Sequence, residues 1–296
     1  MTPVIVEEGP SYRLELDGEG ITMVVTGKWT NNLSQLLAGG RADGLDLNYA
    51  KGFKDTDLAV LQDWPIRRFR LLARTVKDLQ PISRLAASLE SLSVETASSA
   101  TLDLTAFPQL TRLAASWSQI RMSISEAPQL KDLFILSYGE SDLTALRWNS
   151  SLNQLTLKDR PRIRSLHGVE ALPSLERLGV YSAPLNDIDP LGHGVPTLHE
   201  LQVESCRIQD LSPLASQRTL RFLNASECDE LASLSPLREL TELSDLWLFG
   251  TTKIMDDDLS PLCTLPRLRE LKMKSRRSYR PPVVAVKALC AERLER

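Results

Sequence analysis

This chain of 296 residues has little of what catalysis requires. It holds only three histidines, His167, His193 and His199, and four cysteines, Cys206, Cys228, Cys263 and Cys290. It contains no Gly-rich phosphate loop, no H-E-x-x-H and no C-x-x-C pair. Carboxylates are plentiful but scattered, and no nucleophile–base pair can be assembled. These absences argue against an enzyme and call for no metal and no cofactor. No apolar stretch approaches the roughly 20 residues that span a bilayer, so no membrane contact is expected. The N-terminus lacks the basic region and apolar run of a signal peptide, which places the expected location in the cytoplasm. The formal net charge is −3, too small and of the wrong sign to draw the chain to nucleic acid or anionic lipid. Aromatic residues make up only 5% of the chain, so rings gathered on one face would be a concentration.

What is present is a repeat. The phrase L-x-x-L-x-L returns as Leu130/Leu133/Ile135, Leu152/Leu155/Leu157, Leu175/Leu178/Val180, Leu198/Leu201/Val203, Leu220/Leu223/Ala225 and Leu243/Leu246/Leu248. With the first leucine as position 1, eleven units start at Ala42, Ile66, Leu89, Leu110, Leu130, Leu152, Leu175, Leu198, Leu220, Leu243 and Leu268. Positions 4 and 6 are two apart, so on a strand they share a side. One strand alone has nothing to bury them against. Parallel stacking at about 4.8 Å joins them into one core. Positions 3, 5 and 7 then face solvent.

The second half of the unit recurs too, as Asp78-Leu-Gln-Pro-Ile82, Asp187-Ile-Asp-Pro-Leu191, Asp210-Leu-Ser-Pro-Leu214, Ser233-Leu-Ser-Pro-Leu237 and Asp258-Leu-Ser-Pro-Leu262. Here Asp189, Ser212, Ser235 and Ser260 are expected to cap short helices, with proline at the first helical position. The units at Leu89 and Leu110 lack this element. Their back halves alternate instead, through Leu102 and Leu104, then Ile120, Met122 and Ile124, and predict extended chain.

The combination L-x-x-L-x-L…D-L-x-P-L resembles the short leucine-rich repeats typified by bacterial internalins, over about residues 42–276. The resemblance implies an α/β solenoid, a horseshoe of 20–25-residue units. A parallel sheet would line its concave face, and short 3₁₀, helical or extended segments its convex face. It also implies a protein-binding role with no fixed partner. One departure is clear: the family's asparagine at position 9 is replaced by Tyr138, Arg160, Ala183, Cys206, Cys228 and Thr251, which predicts less regular turns. Cys206 and Cys228 occupy that position in successive units. They are either a disulfide or metal pair, or two small buried residues in a reducing compartment, and the second is the expectation.

An open stack needs caps. Residues 1–41 read as an N-terminal cap, with a hairpin built from Tyr12, Leu14 and Leu16, a turn at Asp17-Gly18-Glu19-Gly20, and a return from Ile21 to Val25. A short helix follows from Thr30 or Asn31. Residues 42–276 are the repeats. Residues 277–296 are a capping helix with Val283, Val286, Leu289, Cys290 and Leu294 on one face.

The candidate binding residues lie at positions 3, 5, 7 and 8 of the C-terminal units: Tyr181, Glu200, Glu204, Phe222, Glu227, Asp245, Trp247 and Phe249. Interface anchors are enriched in such rings. A smaller patch is expected at Trp117, Phe134 and Leu136. The alternative is that the rings pack on one another without a partner. The favoured reading is a non-catalytic module whose partner is a protein or peptide with a partly basic, partly apolar surface. An inhibitor or immunity-type protein covering a toxin or enzyme is one version. Binding of nucleic acid or an acidic partner through the basic run Lys272, Lys274, Arg276, Arg277 and Arg280 is the other alternative, opposed by the net charge.

Overall fold

Leucines two apart on a strand bury together only when the next strand lies beside them, and the chain uses the phrase in that way. The computed structural model describes Thr2–Leu294 apart from Ser98, Ser99, Gly194 and Pro196. It forms two compact units, Met1–Leu133 and Phe134–Arg296.

In the first unit, β1 (Val4–Gly9), β2 (Tyr12–Asp17) and β3 (Gly20–Val25) are antiparallel. The expected hairpin is β2–β3. β1 was not anticipated, because its exposed Val4, Ile5 and Val6 carry no alternation. Helix α1 (Asn31–Ala38) then buries Leu33 and Leu37. From there pairing turns parallel, through β4 (Gly44–Asn48), β5 (Arg68–Leu72), β6 (Ser91–Glu95) and β7 (Arg112–Ser116).

In the second unit the strand order is β8 (Asp132–Leu136, where the division falls), β9 (Gln154–Lys158), β10 (Arg177–Val180), β11 (Glu200–Gln202), β12 (Phe222–Asn224), β14 (Asp245–Leu248) and β16 (Glu270–Met273). Two short strands, β13 (Glu230–Leu231) and β15 (Lys253–Ile254), pair separately. Register is kept from strand to strand, with Leu155, Leu178, Leu201, Leu223, Leu246 and Leu271 side by side. Leu155, Leu157, Leu178, Leu201, Val203, Leu223, Leu246 and Leu248 are all buried. At the end, α4 (Val283–Leu294) buries Val283, Val286 and Cys290. The Leu294 side chain, expected on the same face, lies outside the described residues.

The convex segments correct two expectations. Short 3₁₀ helices do form at Asp189–His193, Ser212–Ser216 and Ser235–Glu239, and α3 (Ser260–Thr264) takes the same place in the next unit. The capping oxygen, however, comes from the first residue of each phrase and not the third. Asp187, Asp210 and Asp258 accept the N–H of Asp189, Ser212 and Ser260 at 3.0, 2.7 and 2.8 Å. Ser233 does the same for Ser235 at 3.0 Å. Asp210→Ala should therefore cost about 1 kcal/mol, seen as a lower urea midpoint. Ser212→Ala should cost less. The back halves expected to be extended also contain short helices, α2 (Trp117–Ile120) and 3₁₀ turns at Leu104–Ala106 and Ile124–Glu126. Ile120 and Ile124 are buried, but Met122 is 73% exposed, so the period-two alternation was coincidental.

The turns after the strands are regular despite the missing asparagines, which corrects the third expectation. Position 8 is left-handed in six successive units, at Ser137, Asp159, Ser182, Ser205, Glu227 and Gly250, with φ between 53° and 73°. Its N–H donates to the position-7 carbonyl of the next unit, as from Ser137 to Lys158, Ser182 to Glu204 and Ser205 to Ser226, at 2.9–3.0 Å. Thiols and a hydroxyl take the place of amides. The Cys206 thiol donates to the Val180 carbonyl at 3.5 Å. The Cys228 N–H donates to Thr252 Oγ1 at 3.0 Å, and the Cys228 thiol to the Val203 carbonyl at 3.0 Å.

The four cysteines are free thiols. Burial pushes the Cys206 thiol up to about 12 and the Cys228 thiol up to about 11. Folded protein should resist iodoacetamide at these two sites and react once unfolded. The unfolded thiols ionise near pH 8.5, so the folded state loses stability as pH rises from there through the raised values. A Cys206→Ala/Cys228→Ala variant should show a flatter alkaline limb in pH-dependent melting, and an unchanged limb would contradict the assignment.

Candidate recognition site

Register sets the rows of the outward sheet face in the second unit. Position 3 presents Arg177, Glu200, Phe222, Asp245 and Glu270 side by side. Position 5 presents Gly179, Gln202, Asn224, Trp247 and Lys272. Phe222 and Trp247 meet edge to face, with centroids 4.9 Å apart and planes at 83°. Phe249 stands 6.4 Å from Trp247 at 52°. Phe249 is 37% exposed, while Phe222 and Trp247 are half-buried. Edge-to-face pairs of this kind contribute about 0.5–1.5 kcal/mol beyond their buried area.

Two lysines complete the surface: Lys158, which sequence reasoning missed, and Lys272, which it assigned to the basic run instead. Lys272 Nζ lies 3.7 Å from the Trp247 ring centroid, and Lys158 Nζ lies 4.4 Å from that of Tyr181. Each occupies the same unit position as its ring, one strand away, so repeat alignment contained the signal. Tyr181 is held across Gly179, where an added Cβ would come within 2.9 Å of the ring. Its hydroxyl donates to Gln202 Oε1 at 2.7 Å. Burial, then Glu200 and Glu204, pushes that hydroxyl up to about 12. Tyr181 is therefore a fixed part of the face.

The acidic residues are similarly positioned. Glu204 accepts from Asn224 Nδ2 at 3.0 Å, and Asn224 Oδ1 accepts the Ser226 N–H at 3.1 Å. Asn224 is only 1% exposed, so this outward position sits under its neighbours. Gln202 donates to Glu200, and Ser244 to Asp245. The Lys272 ammonium, 3.1 Å away, holds the Glu270 carboxyl below its ordinary value. The face is thus of mixed sign, with Lys158 and Lys272 set among Glu200, Glu204, Asp245 and Glu270.

Four candidates sit elsewhere. Glu227 is at the left-handed turn residue, where its carboxylate accepts the Thr251 N–H at 2.9 Å and lines the edge of the unit. Trp117 is a correction: it is 5% exposed, because Ser116 caps α2 and starts a helix where a solvent-facing strand end was expected. Phe134 and Leu136 are half-buried on β8. In the basic run, Lys272 is engaged as described, and the Arg280 guanidinium donates to the carbonyls of Arg277 and Tyr279 at 2.8 and 2.9 Å. Among the described residues, no group of three His, Cys, Asp or Glu side chains could hold a metal ion. No helix there is long and apolar enough to cross a membrane.

No family model and no curated protein sequence matches the chain. Solved structures do. An internalin from Listeria monocytogenes is similar with a TM-score of 0.55 at 18% identity, over 76% of this chain and 66% of that one. A leucine-rich repeat protein from Leptospira interrogans is similar with a TM-score of 0.58 at 14% identity, over 88% of this chain and 73% of that one. The chain thus spans just under two thirds of the internalin's length. At these identities the likeness concerns the fold, and with the in-register leucine strands it shows that this chain has a leucine-rich repeat solenoid fold similar to those of the two proteins.

Proposed function

We propose that this chain is a non-catalytic, cytoplasmic recognition module that binds a protein or peptide on the outward sheet face of its second unit. The observation that carries the reading is the ring group Phe222, Trp247 and Phe249, set at the solvent side of adjacent strands with Phe249 exposed. Rigid rings in a partly desolvated group are what interface anchors require. The leucine-rich neighbours agree with protein recognition in general. A partner with an apolar patch flanked by basic residues fits Glu200, Glu204 and Asp245, and Lys158 and Lys272 would take a carboxylate at the margins. An inhibitor that covers an enzyme is a special case of this reading.

The test is capture from the native host's lysate with three baits: wild type, Trp247→Ala, and Arg276→Ala with Arg277→Ala. A protein retained by wild type and the rim variant but lost by the tryptophan variant supports the sheet face. Loss with the rim variant alone overturns it.

A further inference from the structure

A second surface carries an independent inference. In the second unit, the turns after the strands enclose an open groove of about 930 Å³ at the sheet edge. Four arginines line it: Arg160, Arg162, Arg164 and Arg207. All four are exposed. Among the described residues none of their guanidinium groups forms an ion pair or side-chain hydrogen bond. Elsewhere in the chain arginines facing a carboxylate do pair with it, as Arg67 does with Glu90 at 2.8 Å and Arg68 with Asp43 at 2.8 Å. Four like charges left together raise the cost of the free state, and an anionic ligand would relieve it.

The backbone beneath is fixed. The Arg162, Arg164 and Arg207 N–H groups donate to the carbonyls of Tyr138, Ser141 and Leu185, each at 2.8 Å. Pro161 and Ile163 point inward and are buried, so Arg162 and Arg164 alternate outward from an extended segment. Alternate residues on extended chain lie about 6.6 Å apart. That is also the spacing of alternate side chains on an extended ligand peptide. Guanidinium groups are planar forks that match carboxylates with two parallel bonds.

Two features choose a peptide over a nucleic acid. None of the groove's lining residues is aromatic, so bases would have nothing to stack on. Glu227 and Asp229 close one end and would repel a continuous polyanion. We propose that this groove binds a short, extended acidic peptide segment, its carboxylates at alternate positions paired with Arg162, Arg164 and their neighbours.

The probe is a fluorescein-labelled octapeptide alternating Glu and Ser, titrated with the full chain at low ionic strength and read by anisotropy. The expected result is saturable binding that weakens with salt. A Lys-for-Glu peptide should not bind. Arg162→Gln with Arg164→Gln should weaken the Glu peptide about tenfold or more while the urea midpoint stays unchanged. Glu227→Gln with Asp229→Asn should tighten it, since opposing carboxylates are removed and the Thr251 bond can remain. Trp247→Ala should not alter it, which separates this groove from the sheet face. Absence of binding, equal binding by the arginine variant, or loss in the Arg276→Ala/Arg277→Ala variant would overturn the proposal. Equal or tighter binding of a single-stranded oligothymidylate would overturn it too, by showing a general polyanion surface.

Discussion

Leu201→Asp abolishes folding. Leu201 is fully buried on β11, in register between Leu178 and Leu223. A carboxylate there has no cation within the leucine stack and no water. Burying an unpaired charge costs far more than the roughly 5–15 kcal/mol by which domains are stable. The expected observation is an insoluble or protease-sensitive chain without a cooperative melt. A soluble variant that melts like wild type would place Leu201 outside the core. Leu201→Ala is the graded companion and should cost about 2–5 kcal/mol. Leu271→Ala should cost less, because β16 has a neighbouring strand on one side only and its leucine is 5% exposed.

Trp247→Ala has the largest expected effect on recognition, a loss of about 2 kcal/mol or more in partner affinity. The variant should stay folded but not unaltered. Trp247 is half-buried between Phe222 and Lys272, so its truncation also removes the edge-to-face contact and the cation over the ring. Trp247→Phe separates these effects, since it keeps an aromatic contact with Phe222 while shrinking the surface offered to a partner. Calorimetry with the captured partner, alongside urea melts, reads both. Glu204→Lys should slow association in a salt-dependent manner. Affinity unmoved by Trp247→Ala would remove the sheet face from consideration.

Much of the fold was legible because the repeat states the same physical problem eleven times. A leucine at positions 1 and 4, with an apolar residue at 6, has one economical solution, parallel stacking. The register of Leu155, Leu178, Leu201 and Leu223 follows from it. The turns were less legible. Their regularity rests on left-handed residues at position 8, occupied by Ser, Asp, Glu or Gly with no common side-chain signature. The thiol bonds of Cys206 and Cys228 depend on carbonyls of other repeats, which no local pattern announces. The Asp caps were misassigned by two residues, since Asp and Ser both cap and only the backbone path distinguishes them.

For the candidate sites, the sequence by itself determined which side chains leave the core, because period two on a strand fixes inside and outside. It therefore placed Phe222, Trp247 and Phe249 on one face before any coordinates. Tertiary structure decided what those side chains meet. It brought Lys158 over Tyr181 and Lys272 over Trp247, sank Asn224 beneath its neighbours and turned Trp117 inward. It also brought Arg207 from a later repeat to the groove lined by the local run Arg160, Arg162 and Arg164. The reason is that outward direction is a local property of the backbone, whereas partners across the stack are set by where neighbouring repeats place residues some twenty positions away.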